Sequence, residues 1–150
     1  MNNIYKITTR SDEETIEVAQ NLESEKFPNM VICLNGDLGS GKTVFTKGFA
    51  SAMAIEDVTS PTFNIIKEYI GELPLYHIDV YRTNGKIDNL GIEEYFDKGG
   101  VTIIEWAEMI EDVLPLERLD ITFKITGENS RVMLITPHGE KYVRVCEDAL

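Results

Sequence analysis

The octapeptide Gly36-Asp37-Leu38-Gly39-Ser40-Gly41-Lys42-Thr43 constrains this chain more than any other stretch. It follows the apolar run MVICL at 30–34 and precedes VFTKGFASAM, which has helical character. Two glycines five apart, followed by Lys and Thr, form the P-loop pattern. Gly36, Gly39 and Gly41 permit backbone torsions and close approach that a side chain blocks. Successive N–H groups then line an anion-binding nest at the start of a helix, where the helix dipole also favours phosphate. Lys42 supplies a mobile cation for the β- and γ-phosphates, and the Thr43 hydroxyl is suited to Mg²⁺. The nucleotide-contacting set read from this loop is Asp37, Leu38, Gly39, Ser40, Gly41, Lys42 and Thr43.

The rest of the chain supports that reading. Residues 4–8 (IYKIT) have strand character. Ser11 and Glu14 form a capping-box signature, and Thr15, Ile16, Ala19 and Leu22 predict a helix to about residue 25. FNIIKEYI (63–70) and PLYHIDVYR (74–82) alternate across a short turn and predict a β-hairpin. A helix is expected over 90–98, closed by Gly99-Gly100. VTIIE (101–105) reads as a buried strand, WAEMIEDVL as a short helix stopped by Pro115, and LDITFKITG with SRVMLITPHG as a second hairpin. Parallel βαβ elements and antiparallel hairpins together predict α/β architecture. The expected fold is one P-loop NTPase-like domain over 1–150, with a mixed parallel/antiparallel sheet flanked by helices. No function is assigned to the tail beyond residue 136.

A nucleotide site needs acidic groups on the metal side of the phosphates, and two candidates stand out. Glu105 ends the apolar run Val101-Thr102-Ile103-Ile104, the expected place of a Walker B acid. The alternative is a strand-end glutamate in solvent. Asp79 shares one strand face with His77, by the period of two. Its alternative is an Asp–His pair on a sheet surface. Thr62, in Thr59-Ser60-Pro61-Thr62-Phe63, is placed to act in a switch-like loop on Mg²⁺ and the γ-phosphate, or simply to begin the next strand after a Ser-Pro turn.

Charge narrows the partners. Asp and Glu number 26 against 14 Lys and Arg, a formal net charge of −12, and the five arginines are scattered. An extended nucleic-acid footprint requires clustered Lys and Arg, so direct strong binding of RNA or DNA is not expected. Acidic groups gather at 93–97 and 105–112, either as solvated faces or as docking surfaces for a basic partner. No apolar stretch approaches the roughly 20 residues that span a bilayer, and the N-terminal MNNIYKITTRSDEE lacks a signal-peptide pattern. A cytoplasmic protein with no membrane association is expected, with Cys33 and Cys146 as reduced structural thiols.

GDLGSGKT, SPTF, LYHIDVYR and IIEW, in this order and within this length, resemble the TsaE (YjeE) family of bacterial tRNA threonylcarbamoyladenosine biosynthesis ATPases. The resemblance covers roughly residues 10–135. It implies ATP/ADP and Mg²⁺ as ligands, Lys42 and Thr43 on phosphate and metal, Thr62 in a switch-like loop, and Asp79 and Glu105 in magnesium binding or water activation. It further implies Trp106 near the nucleotide; by its position alone Trp106 also reads as a core aromatic opening a helix. The implied partners are TsaB and TsaD, with tRNA reached only through their complex. Two other classes share the loop. A small-molecule kinase would carry a lid with paired basic residues, and a regulatory GTPase would carry Asn-Lys-x-Asp; neither pattern is present in the sequence.

Overall fold

The computed structural model describes residues 3–59 and 65–150. Its strands are β1 (Tyr5–Thr9), β2 (Val31–Gly36), β3 (Ile66–Tyr69), β4 (Leu75–Asp79), β5 (Val101–Glu105), β6 (Arg118–Ile125) and β7 (Arg131–His138). Its α-helices are α1 (Asp12–Glu23), α2 (Lys42–Ala52) and α3 (Glu140–Ala149). The strands form one sheet in the order β1-β7-β6-β2-β5-β4-β3. β2 runs parallel to both β6 and β5, and β4 is parallel to β5. The predicted hairpins form as β3–β4 and β6–β7, and β1 adds antiparallel to β7. The sheet is therefore mixed, and the strand that feeds the P-loop lies inside it.

That position follows from burial. Val31, Ile32, Cys33 and Leu34 are all buried, so β2 needs cover on both faces. Alternation sends Ile32 and Leu34 into one apolar layer and Val31 and Cys33 into the other. All three α-helices contribute to the first layer, through Ala19 and Leu22, Phe45 and Phe49, and Tyr142, Val145 and Cys146. Phe45 and Phe49, one turn apart, stack with centroids 6.4 Å apart. Truncating either to Ala would cost about 3–5 kcal/mol through lost transfer energy and the cavity left behind. Gly48 lets α2 close on α1: a Cβ there would fall 2.9 Å from the Ile16 Cα. The Ser11 hydroxyl caps α1 by accepting from Glu14 N at 3.1 Å. The Glu14 carboxylate returns to Arg10 N at 2.8 Å, one residue before the usual capping-box donor.

The second layer differs from the sequence expectation. Ile92–Asp97 and Ala107–Val113 are 3₁₀ segments rather than α-helices. Each starts from a left-handed residue without a side-chain cap, Gly91 (φ 68°) and Trp106 (φ 64°), and the second is broken at Ile110 (φ −129°, ψ 33°). Such short runs cannot satisfy an α-helical ladder, and what holds them is Ile92 and Ile110 buried against β2, β4 and β5. Helix α3 lies in the tail for which the sequence reading made no assignment. It is tied to the centre of the sheet, where Val31 N donates to Tyr142 Oη at 2.8 Å. Both cysteines are free and buried, as expected, and burial pushes the Cys146 thiol up to about 11.

Candidate functional site

The site forms where β2 gives way to α2. Gly36 (φ 143°) leaves no room for a side chain, since a Cβ would sit 2.7 Å from Phe123 O on the adjacent β6. Ser40 N donates to Asp37 O at 3.1 Å, tightening the turn, and Gly39 (φ 76°) and Gly41 (φ 115°) occupy left-handed torsions. The first helical bond, Phe45 N to Gly41 O at 2.9 Å, starts α2 at Lys42. The amides of the first turn have no partners within the helix and are available to an anion. A cleft of about 500 Å³ opens over this loop.

Lys42 is 5% exposed and its ammonium donates to the carbonyls of Gly36 and Asp37, the latter at 3.0 Å. It also lies 3.8 Å from the centroid of the Trp106 ring. Desolvation lowers its pKa, opposed by the negative charges of Glu105, Glu108, Asp79 and Asp37. In this arrangement the two carbonyl oxygens stand where phosphate oxygens would satisfy the same donor. The flank formed by β4 and β5 is a connected polar network. Thr43 Oγ1 donates to Glu105 Oε1 at 3.3 Å, and His77 Nε2 donates to Glu105 Oε2 at 2.5 Å. Glu105 is 3% exposed, which removes the solvent-exposed reading of that residue. His77 bonds Glu105 rather than Asp79, which removes the alternative reading of an Asp–His surface pair: parallel pairing of β4 with β5 brings the two strands' side chains together.

Asp79 is the register partner of Glu105, lines the same cleft, and its Oδ1 accepts from Tyr81 N at 2.9 Å. Burial raises its pKa, the Tyr81 amide opposes, and the Glu105 charge adds to the rise. Trp106 opens a 3₁₀ segment and presents its ring to the cleft, packed at 4.5 Å against Tyr81. Leu38, Gly39, Ser40, Gly41 and Thr43 also line the cleft, whereas the Asp37 side chain is exposed and contributes its carbonyl to Lys42. Thr62 lies outside the described residues.

The opposite flank was not foreseen. Asp12, opening α1, and Arg131, opening β7, complete the wall of the cleft. Neither belongs to a recognisable motif; only strand pairing brings Arg131 beside a loop so distant in sequence. The Ser40 hydroxyl and Arg131 Nη1 are buried with no hydrogen-bond partner among the described residues. Unmet donors of this kind, beside Lys42 and a run of helix-start amides, fit a polyphosphate. For the metal, the described residues contain no group of three or more His, Cys, Asp or Glu side chains able to cage an ion. A hydroxyl and one or two carboxylates beside a phosphate site are nonetheless the donor set that suits Mg²⁺, which keeps waters and shares phosphate oxygens. Thr43, Glu105 and Asp79 provide that set.

Comparison with known proteins agrees with this geometry. The family model described as threonylcarbamoyl adenosine biosynthesis protein TsaE matches residues 9–133. The chain belongs to the TsaE family. It is 48% identical over 145 residues to the tRNA threonylcarbamoyladenosine biosynthesis protein TsaE of Bacillus subtilis strain 168, covering 95% of this chain and 92% of that one. It is 36% identical to the TsaE of Rickettsia bellii, covering 84% and 90% respectively. The crystal structure of Bacillus subtilis YdiB superposes with a TM-score of 0.88 at 44% identity, covering 99% of this chain and 95% of that chain. The mixed-sheet P-loop fold expected from the sequence is thus the fold of a TsaE-family protein.

Proposed function

We propose that this chain, as one P-loop domain, is a Mg²⁺-dependent ATPase that supports threonylcarbamoyl modification of the adenosine next to the anticodon of tRNA. Lys42, Thr43 and Glu105 meeting over a single loop is the observation that carries this reading. Family membership supplies the pathway. In the proposed mechanism the Lys42 ammonium leaves the Gly36 and Asp37 carbonyls for the β- and γ-phosphates. The helix-start amides left without partners within the helix hold the remaining phosphate oxygens. Mg²⁺, when bound, neutralises charge developing between the β- and γ-phosphates. Thr43 and Glu105, already bonded to one another, form its protein-side anchor, and His77 holds the second Glu105 oxygen in place. Asp79, on the neighbouring strand, orients the attacking water and accepts its proton. Trp106 and Tyr81 shield the ammonium and the polyphosphate from solvent. Thr62 is assigned to the switch-like loop.

The family resemblance implies TsaB and TsaD as partners, with tRNA reached through their complex; a net charge of −12 is compatible with a chain that does not hold tRNA alone. The acidic stretches at 93–97 and 105–112, the latter without the buried Glu105, are the proposed docking faces, and the cytoplasm is the proposed compartment. No helix among the described residues is long and apolar enough to cross a membrane. Turnover by the isolated chain is expected to be slow, because an arginine finger on the transferring group can be worth about 10³–10⁵ in rate and no finger loop is legible. Steady-state ATPase measured with and without purified TsaB and TsaD tests this: partners should accelerate a low basal rate. A high basal rate left unchanged by them would sink the proposal.

A further inference from the structure

The buried guanidinium on the far flank of the loop has no place in the mechanism above. Arg131 is the first residue of β7 and its side chain is only 12% exposed. Nη2 donates to Asp12 Oδ1 at 2.9 Å, while Nη1 is enclosed without a hydrogen-bond partner among the described residues. The side chain reaches the phosphate loop itself. A Cβ on Gly41 would fall 2.1 Å from Nη1 and 3.0 Å from both Cδ and Cζ, so the bare Gly41 backbone is what admits the guanidinium. Arg131 and Asp12 both line the cleft over the loop. A cation so placed, one edge tied to a carboxylate and the other enclosed and unbonded, is arranged to receive a second anion.

The sheet order tells which part of a nucleotide that anion is. Asp79 and Glu105 come from β4 and β5, on one side of β2. Arg131 comes from β7, beyond β6 on the other side. The loop amides cradle the α- and β-phosphates, whereas Mg²⁺ and the γ-phosphate belong with Thr43 and the acids. The Arg131 flank is therefore the nucleoside end of the polyphosphate. We propose that Arg131 is a nucleotide-binding residue that grips the α/β-diphosphate, and that Asp12 aims it. The inference rests on the nucleotide reading of the site and deepens it. Because ADP and ATP share that diphosphate, Arg131 strengthens both complexes alike and adds nothing specific to the transition state, unlike an arginine finger.

Calorimetric titration of ADP and of a non-hydrolysable ATP analogue, at one fixed salt concentration, tests this on the wild-type chain, Arg131→Ala, Arg131→Lys and Asp12→Ala, with circular dichroism melts as the folding control. Loss of a charge-assisted bidentate contact should weaken both nucleotides on the order of ten- to hundred-fold in Arg131→Ala, leave the ATP:ADP affinity ratio unchanged, and keep kcat at saturating ATP within about two-fold. Arg131→Lys, which keeps the charge without the fork, should recover part of the loss and carries the test if the Ala variant does not fold. Asp12→Ala should weaken ADP by clearly less than Arg131→Ala does, since the guanidinium remains but is no longer aimed. Wild-type ADP affinity in the folded Arg131 variants overturns the proposal. So does an Asp12→Ala loss as large as that of Arg131→Ala, which would make the pair a structural tie between α1 and β7. A fall in kcat without weaker binding would make Arg131 a finger instead, and overturns it too. Wild-type chain that binds neither nucleotide would remove the nucleotide reading itself, a distinct outcome.

Discussion

The two flanks of the phosphate loop are built differently. On the β4–β5 side, Thr43 and His77 each bond one oxygen of the Glu105 carboxylate, which is 3% exposed, while His77 Nδ1 has no hydrogen-bond partner among the described residues. On the α1–β7 side, Asp12 and Arg131 form a pair that leaves one guanidinium edge unbonded. A buried carboxylate without partners would be costly, so the Glu105 oxygens must be satisfied before any ligand arrives. That fixes its geometry in advance, which is what charge stabilisation during a reaction requires. The second flank keeps an unmet donor, and its stabilisation appears when an anion binds. On the proposed function, chemistry and affinity fall on opposite sides of one loop, and substitutions should separate them.

The largest effect should come from the acidic flank. Glu105→Ala and Asp79→Ala should each lower ATP turnover by about 10²–10⁴, the range for a lost general base or charge-stabilising group, while nucleotide affinity by calorimetry changes several-fold at most. Wild-type hydrolysis by either variant would return that residue to a structural role and blur the division between the flanks. Next comes the residue between them. Lys42→Ala should weaken ATP by roughly 100-fold through loss of a charged donor, with thermal unfolding little changed; unaltered affinity would remove the phosphate-loop assignment on which both flanks depend. Intact binding in Glu105→Ala beside lost binding in Lys42→Ala and Arg131→Ala would sharpen the comparison most.

The smallest effect concerns stability and pH. Burial raises the Asp79 pKa, so the native state holds its proton more tightly than the unfolded chain does. This protonation stabilises the fold below the unfolded carboxylate pKa, and the contribution is lost as pH rises through the higher native pKa. At pH 7 the buried charge is then a burden, and Asp79→Asn should raise the thermal midpoint, by about 2 °C or less because half-exposure lets water screen it. The gain should vanish as the pH falls below the ordinary carboxylate range. A gain that persisted in acid would place its origin elsewhere.

Legibility from the sequence followed the range of each interaction. The loop, the two hairpins, β2, β5 and helix α1 all appear where local pattern placed them. The helices expected over 90–98 and after Trp106 became 3₁₀ segments, because apolar residues such as Ile92 and Ile110 signal burial without specifying which ladder satisfies the backbone. Helix α3 is not marked in the sequence although Tyr142, Val145 and Cys146 have helical spacing, since Gly139 at its start supplies no side-chain cap. Lys42, Thr43, Glu105 and Asp79, legible from motif and position, and Trp106, implied by the family resemblance, all line one cleft.

The sequence by itself determined the phosphate loop and its strand-loop-helix setting, because glycine torsions, helix-start amides and a neighbouring Lys-Thr are chemistry within eight successive residues. It also determined that β2 would be interior, since four apolar residues in a row demand cover on both faces. Only the tertiary structure decided which groups face that loop. Whether His77 meets Asp79 or Glu105 depends on β4 lying parallel beside β5, and whether Arg131 touches Gly41 depends on β7 folding back along β6. Those contacts join residues whose local patterns are silent about one another, so they exist only after the sheet order and register have been set by the burial of the whole core.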